Sequence, residues 1–96
     1  MSRIEPLKDK VLPDDCLVFK HSTTCPISAT AAQEVRAIQS DLPIMWINVR
    51  EQRELSNWVA ETYKVTHESP QLILIRGGKP AQVWSHYEVK AAHVKL

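Results

Sequence analysis

Three short apolar runs punctuate the sequence at residues 16–21, 44–49 and 71–76, and what separates them dictates the architecture. Each is too short for a buried helix and reads as a strand. Between the first two, Ile27, Ala31, Val35, Ile38 and Leu42 recur at spacings of four, four, three and four. That is a helical stripe facing a core, with Gln33, Glu34, Arg36 and Gln39 toward water. Pro26 opens it and Pro43 ends it. A helical crossover of this kind makes the two strands it joins parallel. A second stripe, Leu55, Trp58, Val59 and Tyr63, predicts a helix over about 52–64. Gly77-Gly78 after the third run is a two-residue hairpin signal, which folds 80–85 back as an antiparallel fourth strand. Pro80 at its start suits a sheet edge. Ile4, Leu7, Val11 and Leu12 suggest a short amphipathic helix stopped at Pro13-Asp14-Asp15, and residues 87–96 a last short helix.

The order β-α-β-α-β-β-α gives an α/β protein with a mixed four-stranded sheet flanked by helices. That is the minimal thioredoxin-like arrangement, which glutaredoxins share. At 96 residues a single domain over 1–96 is expected. Hydrophobic residues at 44% and charged residues at 24% exclude a disordered, collagenous or coiled-coil chain. A net charge of +1 gives no sign of a nucleic-acid surface or of attraction to an anionic membrane. Neither a spanning segment nor a signal-peptide pattern is present, so a cytoplasmic location with reduced thiols is expected. A structural disulfide between Cys16 and Cys25 is therefore not expected. A zinc site drawn from Cys16, His21, Cys25 and a distant histidine matches no justified spacing, so no metal is expected either.

The chemistry concentrates at Thr24-Cys25-Pro26-Ile27-Ser28, where the first strand hands over to the first helix. Proline is favoured at the first helical position, which makes Cys25 the N-cap residue. An N-cap side chain accepts from the N–H groups two or three residues on, here those of Ile27 and Ser28. The Ser28 hydroxyl can also turn toward the sulfur, and the positive end of the helix dipole points at the same atom. All of these favour thiolate over thiol, the form that attacks disulfides. Cys16 opens an apolar strand and reads as a small core residue. Ser28 stands where a dithiol enzyme would carry its second cysteine. A mixed disulfide on Cys25 must then be resolved by an external thiol. The segment His67-Glu68-Ser69-Pro70-Gln71 precedes the third strand, at the end of the sheet where the helix head lies. A cis Pro70 there would leave the preceding backbone groups outward, able to pair with a bound peptide or thiol adduct. His21, four residues before Cys25, reads as a strand-end residue more readily than as a base. His67 and, more weakly, His86 are candidates for the same rim. Trp46, Trp58 and Trp84 read as packing residues.

Lys20-His21-Ser22-Thr23-Thr24-Cys25-Pro26-Ile27-Ser28, followed by His67-Glu68-Ser69-Pro70-Gln71, resembles the bacillithiol-system YtxJ family of monothiol bacilliredoxins. The resemblance runs from about Cys16 to the C-terminus. It implies a thioredoxin fold and an enzyme that removes bacillithiol, a low-molecular-weight thiol, from S-bacillithiolated client proteins. Cys25 would be the nucleophile, with Thr24, Pro26, Ile27 and Ser28 as its motif and His21, His67, Ser69 and Pro70 toward the thiol substrate. Free bacillithiol would act as co-substrate, and a flavin- and NADPH-dependent reductase would recycle the resulting disulfide. No bound cofactor is implied. Two other readings compete with it. One is an adaptor module that uses the fold for docking without turnover. The other is an iron–sulfur carrier of the monothiol glutaredoxin kind, disfavoured because Pro26 stands where those proteins have glycine.

Overall fold

The computed structural model describes residues 3–94. The strands are β1 (Ile4–Pro6), β2 (Cys16–His21), β3 (Ile44–Asn48), β4 (Gln71–Arg76) and β5 (Lys79–Ser85). The helices are α1 (Pro26–Ala37) and α2 (Arg53–Tyr63). The sheet order is β1-β3-β2-β4-β5, with β3 parallel to β1 and β2, and β4 antiparallel to β2 and β5. The central strand β2 is buried from Cys16 through Lys20.

Side chains alternate across the sheet, so the three inner strands β2, β3 and β4 feed two cores. On one face Leu17, Phe19, Ile44, Leu72, Leu74 and Trp84 meet Ala31, Ala32 and Val35 of α1. On the other, Cys16, Val18, Ile47, Ile73 and Ile75 meet Leu55 and Val59 of α2, with Leu7. Each fully buried aliphatic or aromatic side chain contributes about 1.5–3 kcal/mol against exposure. Gly77 and Gly78 take φ of 58° and 75°, the left-handed pair that a tight hairpin turn requires. Their N–H groups donate to Asp15 Oδ1 and to the Asp14 carbonyl, both at 3.0 Å, tying the hairpin to the start of β2.

The sheet has five strands, where the sequence pattern gives four. The expected N-terminal helix is replaced by β1, which satisfies the outer edge of β3: Ile44 N–H donates to the Arg3 carbonyl at 2.7 Å. Of the presumed stripe only Leu7 is fully buried, while Ile4 and Val11 are exposed. The stripe in α1 runs past the helix itself. Ile38 turns to extended backbone (ψ 131°), yet Ile38 and Leu42 still pack on the α1-side core. The expected C-terminal helix is instead two 3₁₀ turns, His86–Glu88 and Ala91–His93. A capping box between Ser85 and Glu88 fixes the first. The Ala91 N–H then donates to Glu34 of α1 at 2.9 Å, and Val89 is drawn into the core between the turns. Lys95 and Leu96, the end of that expected helix, lie outside the described residues. Among those residues no helix is long and apolar enough to cross a membrane.

Candidate active site

Because β2 and β3 are parallel and β4 is antiparallel, three connections meet at one end of the sheet. They are the β2–α1 turn, the β3–α2 loop and the segment before β4. Cys25 lies in the first. It is the N-cap of α1, with φ −102° and ψ 120°, and its carbonyl accepts the Ala29 N–H at 3.1 Å. Its own N–H donates to the Ser22 carbonyl at 3.3 Å, closing a tight turn. The side chain is half-buried and unpaired with Cys16.

The sulfur makes no capping hydrogen bond, contrary to the expected contact with the Ile27 and Ser28 amides. A neutral thiol is a weak acceptor, and Pro26 at the first helical position has no N–H to offer. The first-turn amides still lack intrahelical partners, no acidic residue sits among them, and the positive end of the helix faces this position.

Ser28 is fully buried and is occupied elsewhere. Its hydroxyl accepts the Ser22 N–H at 2.9 Å and lies 2.8 Å from His21 Nδ1. Ser28 thus clamps the end of β2 to α1 and is not turned to the sulfur. His21 packs 5.8 Å from Phe19 and 5.4 Å from Trp46, and Arg36 covers the Trp46 ring at 4.9 Å. Burial and then the Arg36 charge push the His21 pKa down, against the pull of the Ser28 bond. That ring is a neutral packing group. Thr24 is exposed, its hydroxyl 3.5 Å from that of Ser22.

The Ser69–Pro70 peptide is cis. The Pro70 carbonyl accepts the His86 N–H at 2.9 Å, while among the described residues no main-chain hydrogen bond engages Ser69. The Ser69 hydroxyl is buried without a partner. Between Pro26, Ile27 and Thr30 of α1 and His86, Tyr87 and Lys90 runs a groove of about 270 Å³. Tyr87 is 73% exposed along it.

The family model described as monothiol bacilliredoxin BrxC matches residues 1–94. The chain belongs to the monothiol bacilliredoxin family. A solved structure described as having a thioredoxin fold is 30% identical, with a TM-score of 0.78 over 84% of this chain and 74% of that one. Trxlp from Edwardsiella tarda is 21% identical, with a TM-score of 0.66 over 88% of each chain. Thioredoxin from Aeropyrum pernix is 16% identical, with a TM-score of 0.64 over 81% of this chain and 67% of that one. The fold is the thioredoxin fold, and family and fold together support a thiol oxidoreductase-like role.

Within this bacilliredoxin, His67 belongs to a polar cluster with Lys20 and Ser56. Its Nδ1 lies 3.2 Å from Lys20 Nζ and 3.2 Å from Ser56 Oγ, on the α2 side of the sheet. Lys20 also donates to the Ser56 carbonyl at 3.0 Å. It is completely buried, and burial pulls its pKa down to about 8. Sequence reasoning missed this cluster, although a lysine at an inward position of an apolar strand was the signal. Cys16 is a core residue as expected, its thiol donating to the Pro13 carbonyl at 3.6 Å. Burial, then the Asp15 charge, pushes its pKa up to about 11. Among the described residues no group of three or more His, Cys, Asp or Glu could hold a metal.

Proposed function

We propose that the protein is a debacillithiolating thiol–disulfide oxidoreductase that works in the cytoplasm with Cys25 as nucleophile. The Cys25 thiolate attacks the bacillithiol sulfur of a client mixed disulfide. A Cys25–bacillithiol disulfide forms and the client leaves as its thiolate, which takes a proton. Free bacillithiol then attacks the bacillithiol sulfur of that adduct, giving bacillithiol disulfide and restoring Cys25. Bacillithiol is thus a co-substrate, no bound cofactor takes part, and a flavin- and NADPH-dependent reductase recycles the disulfide product.

The observation that carries this reading is a half-exposed cysteine at the head of a 12-residue helix with no second thiol in reach. Cys16 opens β2 and Cys25 follows its far end. Six residues of strand span roughly 17 Å, against a limit of about 7 Å between Cα atoms for a disulfide. Resolution must come from outside. The unengaged main chain of Ser69 at the same end supports pairing with a bound adduct, and the Thr24-Cys25-Pro26-Ile27-Ser28 segment supplies the turn and helix start. The test is release of bacillithiol from an S-bacillithiolated client with excess free bacillithiol. The wild-type protein should turn over and Cys25→Ser should not. Full activity in that variant would refute the assignment, and so would equal stoichiometric binding of client by both proteins without release.

A further inference from the structure

The loop after β3 and the first turn of α2 border a cavity of about 290 Å³ lined by Val49, Arg50, Arg53, Ser56, Asn57 and His67. No carboxylate lines it, and among the described residues neither Arg50 nor Arg53 forms an ion pair. Arg50 stands in the turn after β3 and Arg53 opens α2, and both line the cavity. Because His67 Nδ1 accepts from Lys20, the ring presents Nε2–H as its donor. The buried Lys20 ammonium behind it has no carboxylate partner among the described residues and adds to the positive field. The N-cap side chain of α2 is committed elsewhere. Gln52 Oε1 accepts the Asn48 N–H at 3.1 Å and Nε2 donates to the Leu7 carbonyl at 2.6 Å, so the first-turn amides are uncapped. A polar cavity with this donor set fits a carboxylate, which guanidinium groups bind through paired, charge-assisted hydrogen bonds.

Its position ties it to the thiol. The Val49 N–H donates to the His21 carbonyl at 2.9 Å, so the Arg50 loop lies against the end of β2, from which the Ser22–Cys25 turn departs. We propose that this cavity is a carboxylate-binding subsite that holds the acidic end of the small thiol while its sulfur is exchanged at Cys25. The proposal rests on the thiol-exchange reading above and adds what the substrate must carry: an anionic group, positioned on the α2 side of the nucleophile.

The test compares three disulfides on reduced protein: bacillithiol disulfide, its carboxyl methyl ester, and neutral hydroxyethyl disulfide. Adduct formation is followed by intact mass. Wild-type protein should react at least about tenfold faster with the acid than with the ester. Arg50→Gln and Arg53→Gln should each reduce that preference severalfold, and the double variant should abolish it, with the hydroxyethyl disulfide rate unchanged throughout. A preference that survives in the double variant overturns the proposal, as does equal slowing with all three disulfides. A second measurement needs no redox chemistry. Succinate titrated into Cys25→Ser should give saturable amide shifts at Arg53, Asn57 and His67, lost when both arginines are replaced. No such shifts would overturn the subsite even if Cys25 exchanges normally. Succinate binding in a protein whose Cys25 reacts with none of the disulfides would overturn the exchange reading, and with it the subsite's role.

Discussion

The two cysteines stand at opposite ends of β2, and their surroundings could hardly differ more. Cys16 is sealed in the α2-side core, bonded to a carbonyl, with its pKa pushed up to about 11. Cys25 sits half-exposed past the other end of the strand, where a helix begins and no acidic side chain follows in the first turn. One strand thus carries the same chemical group once as packing and once as a candidate nucleophile. Reactivity here is a property of place.

The largest effect that could break this contrast is on exchange itself. Cys25→Ser should lower adduct formation with a disulfide by at least about a hundredfold, because the remaining thiol is buried and ionised in only about one molecule in a thousand at pH 8. Cys16→Ala should exchange at the wild-type rate, and parallel mass-spectrometric rate measurements decide both. Stability should rank the two in reverse. Cys16→Ala should cost about 1–2 kcal/mol by denaturant unfolding, as a core truncation. Cys25→Ser should be neutral or stabilising by up to about 1 kcal/mol, since serine is the better N-cap. Both variants losing stability equally would erase the distinction.

Lys20 sharpens the comparison, because burial acts on it in the opposite direction to Cys16: in each case the charged form is disfavoured. Its pKa falls from 10.5 to about 8, so the folded state binds fewer protons than the unfolded between those values. Its contribution to stability therefore rises with pH over that window by about 3 kcal/mol. For Cys16, moved from 9.0 to about 11, the folded state binds more protons, and stability falls between those values by a similar amount, about 3 kcal/mol. Tyr63, whose pKa is raised by burial and by the Cys16 and Asp14 charges, adds to the fall. Wild-type stability should climb from pH 8 to 9, level off, and drop toward 11. Lys20→Met should be more stable at pH 7 by about 1–2 kcal/mol, net of the lost bonds to Ser56 and His67, and should keep only the alkaline drop. Cys16→Ala should keep the rise. Denaturant unfolding across pH 7–11 checks this, and a flat wild-type profile that neither substitution alters would contradict it.

A small effect on exchange is expected of Ser28→Ala. It leaves the Ser22 N–H and His21 Nδ1 without their partner and should cost about 1–3 kcal/mol. Exchange in the folded variant should stay within about threefold of wild type, about 0.7 kcal/mol of barrier, since the hydroxyl is bonded to Ser22 and His21 and not to the sulfur. A far larger loss with folding intact would show that the hydroxyl turns to the sulfur after all.

Much of this was legible in the residues. The stripe from Ile27 to Val35 marked α1, Gly77-Gly78 marked the hairpin, and Pro26 marked Cys25 as a cap, because each signal is local. What escaped depended on tertiary contacts. Ile4 to Leu12 has helical spacing, but the open edge of β3 takes its first residues as a strand. Ile38 and Leu42 continue the apolar stripe after the helix has ended, since packing does not need helical backbone. His67 lies close in sequence to Ser69, yet Lys20 and Ser56 draw it to the opposite face. A sequence records which residues are inward far better than it records which polar groups meet there.

The central claim is that Cys25 alone exchanges and that its adduct waits for an outside thiol. Reduced protein treated with bacillithiol disulfide and mapped by peptide mass spectrometry tests it most directly. The account gives one adduct, on Cys25, stable on standing and removed by free bacillithiol. An adduct on Cys16, or an internal Cys16–Cys25 disulfide formed in the folded protein, would contradict it.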